Sequence, residues 1–115
     1  MVLINILLVD DHVLFAKSLS IALEEYSEVG ELITTQSIEN LESIVSENDI
    51  DIVLMDINLG NLSDTDGLEA AAHLLKTKPD IKIMILTGYD LPVYRHEARK
   101  IGVCGFLNKN IGPDD

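Results

Sequence analysis

Five short apolar runs punctuate the chain: Ile4 to Val9, Leu32 to Thr35, Ile52 to Met55, Ile81 to Leu86 and Val103 to Leu107. They are rich in Val, Ile and Leu with little strict alternation, which is the pattern of strands buried on both faces. After the first three come segments with apolar residues three and four apart: Phe15, Leu19, Ala22, Leu23 and Tyr26; Leu41, Ile44 and Val45; Leu68, Ala71, Ala72 and Leu75. That spacing predicts amphipathic helices, each laying one stripe against the strands.

Start and stop signals agree with the pattern. Ser37 can cap the second helix with Glu39 in its first turn, Asp66 can cap the third, and Pro92 can open a fourth that runs to about Ile101. Pro79 closes the third helix and Gly102 the fourth. Strand and helix therefore alternate as βαβαβαβαβ, which implies an α/β, doubly wound, five-stranded parallel sheet joined by right-handed crossovers. At 115 residues the chain fits a single domain, residues 1–115. The last residues, Ile111-Gly112-Pro113-Asp114-Asp115, read as the beginning of a fifth helix that is otherwise missing.

Charge narrows the range of partners. The formal net charge is -12, from 20 acidic and 8 basic residues with the acids dispersed along the chain. Direct nucleic-acid binding and binding to an anionic membrane are disfavoured, because both need clustered Lys and Arg. A basic partner, or a cation held by carboxylates, suits the sign. The start of the chain is apolar but lacks a basic segment and ends in two acids, so it is read as a strand rather than a signal peptide or membrane span. One cysteine, Cys104, allows no internal disulfide and agrees with a cytoplasmic setting; it is expected as a small buried strand residue.

The candidate chemistry lies at the strand ends. Asp10 and Asp11 follow the first strand, Asp56 ends the third, Thr87 ends the fourth and Lys109 follows the fifth. In an open parallel sheet all five project at the carboxyl edge, where such sheets bind ligands. Taken singly, each has an ordinary reading: an Asp as turn former or helix cap, a Thr as strand residue, a Lys as surface amine. Together, three carboxylates repel unless a cation holds them, and hard oxygen ligands suit Mg²⁺. With a cation, a lysine and a hydroxyl beside it, one carboxylate could attack phosphorus.

The stretches LLVDDH, VLMDINL, ILTG and GFLNK, in this order and spacing, resemble the receiver domain of two-component response regulators over essentially the whole chain. The resemblance implies a flavodoxin-like strand order 2-1-3-4-5 with five helices, of which the fifth is missing here. It implies that Asp56 accepts a phosphoryl group from a sensor histidine kinase, and that Asp11, Asp56 and the backbone carbonyl of Asn58 bind Mg²⁺, with Asp10 acting mainly through water. Thr87 would donate to the phosphoryl group, Lys109 would pair with it, and Phe106 would be the switch aromatic that turns inward as Thr87 moves. Gly88 would leave the phosphoryl group room. The surface of the first helix, opened by His12, Leu14 and Phe15, would receive the kinase.

Departures from the family pattern are informative too. Leu59 and Gly60 stand where the family commonly has Met-Pro, and Gly67 lies eleven residues after Asp56 rather than eight, so the loop after the acceptor is about three residues longer, with polar residues Asn61 to Asp66. Asn110 replaces a common proline after Lys109 and, with the DDH opening, resembles receivers of the NarL/FixJ group, which carry a LuxR-type DNA-binding domain; no such segment is present in this sequence. Lack of the fifth helix would bare about 300 to 500 Å² of apolar surface. A homodimer or a domain swap across that face is therefore expected. Two other functions compete with the receiver: a Mg²⁺-dependent phosphatase with an aspartyl nucleophile, and a phosphorylation-independent receiver-like scaffold. The adjacency of Asp10 and Asp11 and the lack of room for a substrate cap oppose the first. The full acidic, Thr and Lys set opposes the second.

Overall fold

The computed structural model describes residues 3–10, 13–36, 39–56, 64–87 and 92–108, with backbone alone at 64–66, 87, 92–95, 97 and 107–108. In chain order the elements are β1 (Ile4–Val9), α1 (Val13–Glu24), β2 (Val29–Thr35), α2 (Leu41–Glu47), β3 (Ile52–Asp56), α3 (Asp64–Thr77), β4 (Lys82–Thr87), α4 (Pro92–Ile101) and β5 (Gly105–Asn108). The five strands form one parallel sheet in the order β2-β1-β3-β4-β5. This is the doubly wound order expected from the sequence.

Strand alternation sends side chains to two separate cores. Leu7, Val9, Val53, Met55, Ile83 and Ile85 meet Leu41 and Val45 of α2, Leu68, Ala71 and Leu74 of α3, and Ala98 of α4. The intervening residues Ile6, Leu8, Leu54 and Leu86 meet Ala16 of α1, with Phe15, Leu19 and Leu23 packed around them. Both faces of the central strands are thus apolar, which is why their sequences read as continuous hydrophobic runs.

The boundaries show where local signals lose to geometry. The β2 strand begins at Val29, three residues before the apolar run, because its pairing with β1 reaches down to Ile4. Ala22 is exposed, and Tyr26 lies beyond the end of α1 at 61% exposure, so neither belongs to the buried stripe. The Tyr26 N–H donates to the Leu23 carbonyl at 3.1 Å and the chain turns toward β2 instead of continuing the helix. Helix α2 starts at Leu41 after Asn40, which holds a left-handed conformation with φ 62° and makes no side-chain cap bond. Glu39 therefore precedes the helix, Glu42 takes its first turn, and Ser37 lies outside the described residues. Helix α3 begins at Asp64, which puts Asp66 inside the first turn, too late to cap it. Pro92 and Ile101 do bound α4, and Gly102 follows it with φ 106°, the left-handed stop that glycine favours.

Cys104 departs furthest from expectation: it is exposed and precedes β5. Its N–H still donates to the Ile83 carbonyl at 2.8 Å, so its backbone follows the sheet while its side chain does not join the core. Residues 111–115, read from sequence as a helix start, lie outside the described residues.

A polar residue organises the opposite end of the sheet. The Asn5 Nδ2 group donates to the carbonyls of Asn48 and Asp49 at 3.4 and 3.2 Å, while its Oδ1 accepts from the Glu31 N–H at 2.9 Å. The Asn5 N–H donates to Asp51 Oδ2 at 2.9 Å. The sequence marks this residue only as a polar interruption in the first apolar run.

Candidate functional site at the carboxyl edge

Register assembles the site. Val9 pairs with Met55 across β1 and β3, so Asp10, one residue on, comes level with Asp56. Asp56 in turn pairs with Leu86 on β4, and the next β4 residue, Thr87, pairs with Asn108, which immediately precedes Lys109. The backbone therefore brings the ends of β1, β3, β4 and β5 to one edge in the order that the sequence predicts.

Asp10 and Asp56 are the buried acidic residues among those described, 2% and 0% exposed. A carboxylate at such depth is costly unless a partner holds it. The core explains their position: Val9 and Met55 are fully buried and paired, so the residues that follow them leave the sheet at the same level. The Asp10 backbone is tied as well, its N–H donating to the Thr35 carbonyl of β2 at 3.0 Å. In the sequence Thr35 signals itself only as the polar end of an apolar strand.

Phe106 pairs with Ile85 on β4 and packs, partly buried, against the core that contains Ala98 of α4, alongside Ile101 and Val103. It therefore connects the edge that carries Thr87 to the helix beside β5. Asp11, His12, Asn58, Gly88, Lys109 and the long connection around Asn61 lie outside the described residues, and Thr87 is placed by its backbone.

Two adjacent buried carboxylates repel one another, and their hard oxygens fit a divalent cation coordinated by carboxylate and water. Among the described residues no three His, Cys, Asp or Glu side chains converge into a metal cluster. The described share of the site is the pair Asp10 and Asp56. Among those residues, too, no helix is long and apolar enough to cross a membrane.

Comparison with known proteins points the same way. A profile of the response regulator receiver domain matches residues 6–115. The transcriptional regulatory protein DegU of Brevibacillus brevis is 31% identical over 111 residues, which are 96% of this chain and 46% of that protein. The transcriptional regulatory protein ComA of Bacillus subtilis (strain 168) is 32% identical over 108 residues, 91% of this chain and 49% of that one. This chain spans about half the length of these curated relatives. Among solved structures, a response regulator protein from Burkholderia pseudomallei, with a phosphorylated aspartic acid, a calcium ion and citrate, superposes with a TM-score of 0.82. It is 27% identical, and the match covers 96% of this chain and 62% of that one.

Proposed function

This chain belongs to the response regulator receiver domain family, whose members signal through phosphorylation, and on that premise we propose that Asp56 is its phosphoryl acceptor, with a sensor histidine kinase as donor. The observation that carries this reading is the register that sets a fully buried Asp56 level with Asp10, one strand away from Thr87. One carboxylate oxygen of Asp56 attacks phosphorus, the bond from phosphorus to the donor's imidazole nitrogen breaks, and the imidazole leaves with the electron pair.

The residues fit a divalent cation, which we assign as Mg²⁺ held by Asp11, Asp56 and the Asn58 carbonyl, with Asp10 acting through water. When bound, the cation would neutralise charge developing on the phosphoryl oxygens. Thr87 donates its hydroxyl to one of those oxygens and Lys109 pairs with another. As Thr87 moves, Phe106 turns inward, and its packing against the core to which Ala98 belongs conveys the change to α4. Nothing in this scheme turns over an external substrate, so the chain acts as a switch and not as an enzyme.

The half-length match to transcriptional regulators supports an output through a LuxR-type DNA-binding domain, and a cytoplasmic location follows from that role. Self-association of the domain is supported by the apolar side chains that α1 leaves open to solvent, Val13, Leu14 and Ile21.

The test is incubation with Mg²⁺ and acetyl phosphate followed by intact-mass measurement. One added phosphoryl group, lost in Asp56→Asn, is the expected result. Absence of an adduct in the native chain would leave a receiver-like scaffold, and sustained turnover of phosphate esters would leave a phosphatase.

A further inference from the structure

The acidic edge has a second opening. A cavity of about 280 Å³ lies between α1 and β2, lined by Asp10, Val13, Ala16, Lys17, Ser20, Thr34 and Gln36. The α1 members fall at intervals of three and four, so a single face of the helix looks onto the end of β2 and the flank of Asp10. The cavity wall is mostly apolar, but the Ser20 hydroxyl in it is buried and meets no hydrogen-bond partner, a group that an ordered water would satisfy.

Lys17 stands out in this wall. It is the sole Lys or Arg among the first 75 residues of a chain with net charge -12. It is exposed, and no ion pair with another described residue involves it. A mobile ammonium tethered beside a buried carboxylate is drawn toward it by charge, and water in the cavity gives it a path.

We propose that Lys17 is a positioning residue for the cation site, resting its ammonium against the Asp10 flank when no divalent ion is bound and yielding to solvent when one binds. The inference rests on the reading that Asp10, Asp11 and Asp56 hold a divalent cation. Lys17 then plays two parts. It relieves repulsion among the carboxylates of the metal-free domain, and it competes with the incoming ion, which lowers the affinity. Both effects act through charge and not through packing, so arginine would supply them and methionine would not.

The experiment is calorimetric titration of the native domain, Lys17→Met and Lys17→Arg with Mg²⁺ at low and high ionic strength, with thermal unfolding of each in the presence and absence of Mg²⁺. Lys17→Met is expected to bind Mg²⁺ about threefold to tenfold more tightly at low ionic strength, with the gap closing as salt screens it. Lys17→Arg should match the native domain. Metal-free Lys17→Met should melt below the native domain and converge with it at saturating Mg²⁺. Native Mg²⁺ binding with equal affinity in Lys17→Met would overturn the role of Lys17 alone. No Mg²⁺ binding by the native domain would overturn the cation reading and the role of Lys17 with it.

Discussion

Asp10 and Asp56 sit side by side at the ends of neighbouring parallel strands, each following a fully buried apolar residue, Val9 and Met55, which are paired. Their proximity is inherited from the core. A shift of one residue between β1 and β3 would separate them and would also turn every apolar side chain of the strand to the wrong face.

The domain without its cation should therefore be strained by its own acids. Asp10→Asn keeps the shape and removes one charge, and should raise metal-free stability by about 1 kcal/mol. The same change should weaken Mg²⁺ binding at least about tenfold. Thermal unfolding with and without Mg²⁺ measures both, and a variant that melts below the native domain in the absence of metal would contradict the first expectation.

At the other end of the sheet, Gly30 makes room for Asn5. A Cβ at Gly30 would lie 2.5 Å from Asn5 Oδ1 and 3.0 Å from Leu3 Cβ. Because Asn5 is held from three sides, it cannot give way cheaply. Gly30→Ala should cost about 1–3 kcal/mol. Asn5→Ala should cost less, about 0.5–1.5 kcal/mol, since water can reach the Glu31 N–H and the Asp49 carbonyl that it leaves without their partner. Additive losses in the double variant, measured by urea denaturation, would show that the two residues do not act through one another.

Phe106 is predicted to carry the signal and to contribute less to the fold than to the switch. Phe106→Leu keeps apolar volume and should lose less than about 1.5 kcal/mol. Hydrogen exchange in α4 should change on phosphorylation of the native domain and stay flat in the variant. An equal response in both would remove Phe106 from the path.

Self-association should depend on α1. Leu14 is 82% exposed, so Leu14→Glu should leave stability within about 0.5 kcal/mol of the native value. Light scattering should show a mass that rises with concentration in the native domain and remains monomeric in the variant. A native mass independent of concentration would rule the association out.

Much of this arrangement is legible in the linear pattern, for identifiable reasons. The runs around Leu7, Val53 and Ile83 are buried on both faces, so burial alone marks them as strands, and the polar residues at their ends, Asp10, Asp56 and Thr87, follow directly. Tyr26 and Cys104 defeat the local pattern because periodicity and residue type count apolar side chains without knowing where the chain must turn or which face is covered. Asn40 does not announce the start of α2, because a left-handed residue without a side-chain cap bond leaves no capping signature. Asn5 is silent in the sequence because its partners lie 26 to 46 residues away, beyond the reach of any local rule. Lys17 is silent too, because Thr34 and Gln36, which line the cavity with it, come from the end of the next strand and the residue beyond it.

The bonds of Asn5 gather β1, β2 and the turn between α2 and β3 at the pole farthest from the acids. At the acidic pole the same strands are held again, by the pairing of Val9 with Thr35 and Met55 and by the Asp10 N–H on the Thr35 carbonyl. Fastened at both ends, β1 cannot slip by a residue without breaking the Asn5 knot and the ladder together, so the spacing of the two acids is fixed as much by an asparagine at the far pole as by anything beside them.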